Sequence, residues 1–540
     1  MFGGSGKIPQ QKQKPLGMDE LHASTSEEAR PVPWLCGKQR IGLTFISDVF
    51  NQKAVSVTQS VGKQKSKVGY NYYASFAALA CHGAVDALHD VFLNGESVYA
   101  SNIKLQALSL TCIADVATFT TKNAHGRTTG EEVIIEGANQ GDYNGSAIIT
   151  VISPTAFTYP VLGSPVTPAT GTITARVKLD PVFRDAENAD FLDVLIPDYG
   201  TMRLYWGTET QEADDTLNAS GIEHPPYRGI CYGVFDQLFL GFNQTNVPNV
   251  ELVLSRKPAG DWHALADITE DANPVAALCE LLQHPRAGTG IATAKLNTVA
   301  LLETAAAIAL EGVGLSPVLT RQQEARQFTL QLLEYIDGYP TTDGDGKLGF
   351  SLARHADGVL PEIGDGDLVE QVNFNPEDWS LAFNETDLKY VNRDRAFKED
   401  MVPHREPFLF TITGEPNKAT LERPWITQRS IARSLVKSAG RANALPGLTG
   451  QARIRISGTL FSDLAPGALF KFNLSTRSMT NYAFRVIDRN LADSTKPEFT
   501  ISFRVDRSYL FTPPAPALIT VDADSPTVDS DQHTSDQETL

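Results

Sequence analysis

The sequence predicts a multi-domain, β-rich α+β protein, and three observations carry that prediction. At 540 residues the chain is too long for one core, and about 150 residues per domain suggests three or four. Its 41 Gly and 31 Pro break it into many short elements and turns. Period-two apolar alternation recurs towards both ends, whereas three-and-four spacing is confined to the middle.

Residues 1–25 are Gly, Gln, Lys and Pro rich and predict an extended arm, with a capping-like Ser24-Thr25-Ser26-Glu27 where structure begins. A first domain is expected over 26–112 and 177–258. In it, Pro31 to Ser47 reads as a strand pair punctuated by Gly37 and Gly42. Lys63, Lys65 and Lys67 at period two, followed by Tyr70, Tyr72 and Tyr73, predict a strand with one solvated face. Val91 to Leu93, Asn94-Gly95, then Val98-Tyr99 predicts a hairpin, because Asn-Gly accepts the positive φ angles of a type I′ turn. Residues 113–176, rich in Thr, Gly, Ile and Val, read as an inserted small β module with strands at Val133 to Ile135 and Ile148 to Ile152. The alternating Val250, Leu252 and Leu254 then resume the first domain.

A helical segment is expected over 259–345. Asn273-Pro274 supplies a cap and an N1 proline before Ala277, Leu278, Leu281 and Leu282, and Pro285 stops that helix. Residues 294–311 form a second helix, and Phe328, Leu332, Leu333 and Ile336 mark a third, ended by Asp337-Gly338. A middle β/α domain is expected over 346–430 and a C-terminal β-barrel over 431–512, where Phe499, Ile501, Phe503 and Val505 alternate with polar residues. The tail, 513–540, has six acids and no Lys or Arg, and predicts disorder.

The 64 acidic residues outnumber 46 basic ones, giving a net charge of -18, the wrong sign for gripping DNA phosphates or an anionic membrane. Five cysteines, Cys36, Cys81, Cys112, Cys231 and Cys279, include no C-x-x-C pair and read as free thiols from a reducing compartment. No run approaches the ~20 apolar residues of a membrane span, and the N-terminus shows no signal peptide, so the chain is expected to fold in a cytoplasm without stable membrane insertion.

The chemistry-bearing motifs are few. The GGSGK at residues 3–7 lacks the spacing of a phosphate loop and the Ser or Thr after Lys7. Ser60-x-x-Lys63 has the spacing of a serine–lysine pair, but its partner signatures are missing and Lys63 belongs to the period-two basic face. On a helix, His82, Asp86 and His89 beside Cys81 would share one face as metal ligands, but Gly83 and the following hairpin favour strand. Asp343 and Asp345 have the spacing of a calcium loop without its later oxygens, so a hairpin turn at Asp345-Gly346 is expected. The expectation is a chain that is not an enzyme and has no catalytic, cofactor-binding or metal-binding residues.

Several phrases in order resemble one family. They are RPVPWLCGKQRIGLTFIS (Arg30 to Ser47), YNYYASFAALACHGAVDALHDVFLNGESVY (Tyr70 to Tyr99) and PPYRGICYGVFDQLFLGFNQTNVPNVELVL (Pro225 to Leu254). Joined by the phrases Asn273 to Ile291, Leu332 to Leu352 and Lys389 to Val402, they resemble the tail hub proteins of long-tailed bacteriophages, including the N-terminal part of the lambda tip attachment protein and the hubs of gene transfer agents. The resemblance covers roughly residues 30–507 with the insert apart, and the segment His125 to Tyr159 is similar to a small β module common in phage virion proteins. It implies a virion protein assembled in the bacterial cytoplasm, a homotrimeric baseplate hub at the tail tip. Two parts of each chain would resemble tail-tube β-barrels, so that three chains present six barrels to a sixfold tube. The implied partners are a distal tail or tail tube protein, a tape measure protein and a central spike or fibre protein, with DNA only in transit through the channel during ejection. The lambda-type chain continues into fibre domains, which implies a separate spike or fibre here.

The rival readings are a tail-associated cell-wall hydrolase, which needs a lysozyme-like or cysteine-peptidase segment, and a receptor-binding adhesin, which would rest on the insert. In a hub, the strands at Tyr70 to Tyr73 and Phe499 to Val505 are expected to be sheet edges at chain-to-chain contacts, with Arg504 and Asp506 facing channel or solvent.

Overall fold

A computed structural model describes residues 31–508 apart from 62–63, 102, 162–164, 186–188, 219–220, 259–261, 263–266, 269, 355–358, 380–381, 408–413, 478 and 492–495. The expected N-terminal arm, the acidic tail and the GGSGK segment lie outside the described residues. The chain is β-rich and multi-domain, with several antiparallel sheets and a nearly closed barrel.

Two facing sheets make the first unit. One has the order Phe191–Ile196, Gly200–Tyr205, Ile230–Phe242, Gln64–His82, Trp34–Leu35, Val318–Leu319, with Thr44–Phe45 and Phe50–Val61 also paired to Gln64–His82. The other has the order Val182–Phe183, Ala87–Leu93, Val250–Arg256, Gly37–Gly42, with Glu96–Ser97 added to Ala87–Leu93. Their inner faces share one core, where Phe76, Phe235, Met202 and Leu204 meet Ile41, Leu88, Val91 and Leu252. Asn94 and Gly95, at φ 51° and 87°, make the expected turn between Leu93 and Glu96. Pro31 to Ser47 is not a strand pair: its short strands Trp34–Leu35 and Thr44–Phe45 join one sheet and Gly37–Gly42 the other. Nor does the lysine segment have one dry face, since Ser66, Lys67 and Val68 are all exposed.

The inserted module is a seven-stranded sheet folded around its own core, with Phe119 stacked on Phe157 at 4.8 Å. It begins earlier than residue 113, because the whole strand Leu105–Ile113 belongs to it. Where the chain enters and leaves, the Ser101 N–H donates to the Val177 carbonyl at 2.7 Å and Ala100 bridges Lys178. Lys178 fastens this stem, its ammonium 3.2 Å from buried Asp90 and 3.0 Å from Glu132.

The helices pack into one core that also collects strands from elsewhere. Helix Pro274–Gln283 starts as expected, with the Asn273 side chain accepting from the Val275 N–H and Pro274 at the first turn. Helix Thr298–Glu311 follows a short turn at Thr293–Lys295 and ends at Gly312, φ 69°. Helix Ala325–Tyr335 presents Phe328 and Tyr335 to Trp425, 5.2 and 5.0 Å away. The three-stranded sheet of Lys398–Arg405, Glu385–Asn392 and Lys418–Glu422 and the helix Arg429–Asn443 close the same core through Leu388, Tyr390, Ile431 and Val436.

The last unit is a six-stranded sheet in the order Glu362–Gly364, Leu469–Leu474, Met479–Asn490, Glu498–Val505, Leu448–Arg455, Asn373–Pro376. It curls until Phe374 of the last strand reaches Phe472 of the second, 5.7 Å away, around a phenylalanine-filled interior with Phe470, Phe484, Phe499 and Phe503. Two expected boundaries therefore move. Residues 362–376 belong to this barrel and not to a middle domain over 346–430, and helix Arg429–Asn443 belongs to the helical core and not to a barrel beginning at 431.

Sandwich and helical core meet at a buried ion pair. Arg256, the last residue of strand Val250–Arg256, points its guanidinium at both carboxylate oxygens of Glu280 on helix Pro274–Gln283, with 3.1 Å for the Nη1–Oε2 pair. The same Nη1 donates to the Leu35 carbonyl at 2.9 Å and lies 3.4 Å from the Cys36 sulfur. Gly83 makes room for it: φ is +81°, and a Cβ there would lie 2.6 Å from the Arg256 Nε.

Deleting residues 102–177 and joining Ser101 to Lys178 leaves a soluble protein that unfolds cooperatively, because the two ends already touch and the module has its own core; an insoluble product means the module is part of the sandwich. Arg256→Met costs about 3–5 kcal/mol in urea unfolding by stranding a buried carboxylate, and adding Glu280→Leu restores part of that stability. Equal or greater loss in the double variant removes the ion pair as the cause.

Candidate functional site

The structure disperses the residues that sequence spacing suggested as ligands. Cys81 and His82 end the strand Gln64–His82, Asp86 lies in the bend that follows, and His89 sits on Ala87–Leu93. Extended backbone sends these side chains to different neighbours. Cys81 enters the core, the His82 ring faces that of His284 at 5.8 Å, Asp86 accepts from the Lys257 N–H at 2.6 Å, and His89 Nε2 meets Ser255 Oγ at 2.9 Å. Among the described residues no three His, Cys, Asp or Glu side chains are grouped to hold a metal ion. Ser60 lies on the strand Phe50–Val61, and Lys63 falls outside the described residues. Asp343 accepts from the Asp345 and Lys347 N–H groups at 2.9 and 2.8 Å and so closes the hairpin between Gly338–Thr342 and Leu348–Leu352.

A depression of about 360 Å³ lies on the outer face of the larger sheet, lined by Asp193, Arg203, Asp214 and Asp236 among others. Its carboxylates are all engaged. Arg203 grips Asp193 with two hydrogen bonds of 2.7 and 3.1 Å, Asp214 accepts from the Tyr205 hydroxyl at 3.0 Å, and Asp236 accepts from Ser75 Oγ at 2.8 Å. Asp193 and Arg203 are direct cross-strand partners either side of a turn with Asp198 at φ 67°. That hairpin was readable from its opposed charges and the Asp-Tyr-Gly turn, and sequence reasoning missed it.

The expected edge strands are interior ones. Tyr70 to Tyr73 pair with Phe50–Val61 on one side and, from Asn71 on, with Ile230–Phe242 on the other. Glu498–Val505 lies between Leu448–Arg455 and Met479–Asn490. Arg504 is exposed as expected, but Asp506 is buried and takes two hydrogen bonds from Arg485, at 3.1 and 2.9 Å. The two long open edges of the larger sheet are instead Phe50–Val61 and Phe191–Ile196, each paired on one side only among the described residues and lying on opposite sides of Gln64–His82, while the short strands Thr44–Phe45 and Val318–Leu319 are also paired on one side only. The long edges carry exposed apolar residues: Val55 on the first, Phe191 and Leu195 on the second.

His82 and His284 face each other at the joint between sandwich and helical core, and His89 lies apart beside Ser255. Burial pushes His82 down to about 4, helped by His284, Arg286 and Arg256. Burial likewise pushes His89 down to about 4, with Lys38 adding to it, and lowers His284. No described helix is long and apolar enough to cross a membrane.

No protein-family model and no curated protein matches the sequence. Among solved structures, the chain is similar to one in the virion of a native gene transfer agent particle, with 14% identity and a TM-score of 0.55 over 94% of this chain and 91% of that one. At that identity the likeness is one of fold, and its coverage takes in sandwich, helical core and barrel together. Remoter likenesses are to the 43 kDa tail protein of prophage MuSo2 from Shewanella oneidensis, at 10% identity and a TM-score of 0.30 over 79% of this chain and 100% of that one. A tail protein from Neisseria meningitidis MC58 gives 9% and 0.31 over 80% and 99%. Both scores fall below the level of a shared fold.

His89 binds a proton in the unfolded chain below its ordinary value of 6.5 but in the folded chain only near 4, so stability falls as pH drops through that window. A shift of this size corresponds to roughly 3 kcal/mol at its limit. His89→Gln is expected to flatten the acid limb of a urea-unfolding series between pH 6.5 and 4; an unchanged slope assigns acid sensitivity to other groups.

Proposed function

We propose that this chain is a structural subunit of a bacteriophage-type tail, a baseplate hub that sits at the tip as a homotrimer, adapts a sixfold tube to a threefold tip and lines part of the channel through which DNA leaves. The single observation that carries the reading is the fold likeness, over 94% of the chain, to a component of a gene transfer agent virion. The ordered phrases from Arg30 to Val402 point the same way.

Three further features support it. Apart from the inserted module, each chain contributes two β units with separate apolar cores, the sandwich and the terminal barrel, so three chains present six. The long open edges Phe50–Val61 and Phe191–Ile196 lie on opposite sides of one sheet, the arrangement a head-to-tail ring needs to close. A net charge of -18 repels DNA in passage instead of trapping it. In this reading the partners are a distal tail or tail tube protein, a tape measure protein and a central spike or fibre protein, and the chain is not an enzyme. The engaged carboxylates of the Arg203 depression favour this over a hydrolase.

Cross-linking intact particles should give a species of three chains, and Leu195→Glu should weaken it while leaving the chain's own stability within about 0.5 kcal/mol. A hexamer or a single copy per tip overturns the trimer. Clearing of purified peptidoglycan by the isolated protein, lost on a single carboxylate substitution, overturns the structural reading.

A further inference from the structure

Cys81 and Cys231 stand directly opposite each other on the antiparallel strands Gln64–His82 and Ile230–Phe242. Both are fully buried in the sandwich core. The other cysteines are placed elsewhere: Cys36 against the Arg256–Glu280 pair, Cys112 in the module core and Cys279 in the helical core. Directly opposed residues of an antiparallel pair hold their Cβ atoms about 4.5–5.5 Å apart, and a disulfide needs about 3.5–4.5 Å. At those typical spacings, closing the bond takes a shift of about 1 Å. The ladder has a register shift between Cys231 and Tyr232, beside the pair, which is where a strand gives most easily.

We propose that Cys81 and Cys231 are an oxidisable cross-strand dithiol, converted by small-molecule disulfides such as oxidised glutathione into a bond that locks the two central strands of the sandwich. One thiol, on losing its proton, attacks a sulfur of the small disulfide and releases one small thiol, leaving a mixed disulfide. The second protein thiol attacks the protein-side sulfur and releases the other small thiol. The protein loses two electrons and two protons, and the small disulfide is reduced to two thiols. Burial raises the Cys231 thiol's pKa, and Cys81 raises it further, so little thiolate exists in the closed sandwich and exchange proceeds through local opening. A chain made in a reducing cytoplasm therefore stays in the dithiol form, and one carried into an oxidising medium closes the bond slowly. This inference stands whether or not the chain is a tail component.

The test is incubation of the full chain with oxidised glutathione, with and without urea below the unfolding transition, followed by alkylation, intact mass and peptide mapping. The expected result is loss of two hydrogens and a linked peptide pair containing Cys81 and Cys231, formed faster in urea. The oxidised protein should unfold at higher urea than the reduced one, and Cys231→Ser should remove the linked pair. No linked pair in either condition, or linkage of Cys81 to Cys36 instead, overturns the proposal; the wild-type map decides even if the variant fails to fold.

Discussion

The buried pairing of Arg256 with Glu280 fixes how the two largest units sit against each other. Desolvating two charges costs several kcal/mol for each ion, and that cost is offset only in a narrow geometry with the remaining donors satisfied. The Leu35 carbonyl, the Cys36 thiol and the space left by Gly83 are parts of that geometry, so the end of a sandwich strand, the first helix and the segment around Trp34 are specified together. Apolar surfaces alone would leave the angle between sandwich and helices softer. A second polar network reinforces it, in which buried Asp271 accepts from Ser316, Thr427, Gln428 and Arg393 and so draws three distant segments onto one carboxylate.

Around this joint the chain is discontinuous at both ends. The sandwich is interrupted by the module, and the terminal barrel takes two strands from residues 362–376 before the chain leaves to complete the helical core and returns at Leu448. Each interruption leaves a β unit whose edge strands come from far apart in sequence. The long strand Gln64–His82 is the extreme case, pairing with four other strands.

What was legible in the sequence was what a few neighbouring residues decide. Asn94-Gly95 and Asn273-Pro274 carry their conformations in their own chemistry, and the alternation of Phe499, Ile501 and Phe503 correctly marks the buried face. Alternation says nothing about which strands flank that face, so Tyr70 to Tyr73 and Phe499 to Val505 read as edges although both lie inside sheets. The start of the module was hidden by the register shift between Ala107 and Ser109, which breaks the period of Leu105–Ile113. Asp506 read as solvated because its partner, Arg485, lies on a neighbouring strand 21 positions away. The ligand-like spacing of His82, Asp86 and His89 would have been meaningful on a helix and loses its meaning on strands.

The pairing of Gln64–His82 with Ile230–Phe242 also sets an order of events on the ribosome. When the first of these strands emerges, it can pair at once with Phe50–Val61, but its partner on the other side lies roughly 150 residues downstream, which at about 5–20 residues per second is a delay of roughly ten to thirty seconds. The module, whose strands all lie between Leu105 and Val177, completes within that interval. A nascent chain therefore carries a finished small domain tethered to an unfinished sheet, whose long strand keeps one edge unpaired until residue 242 is made.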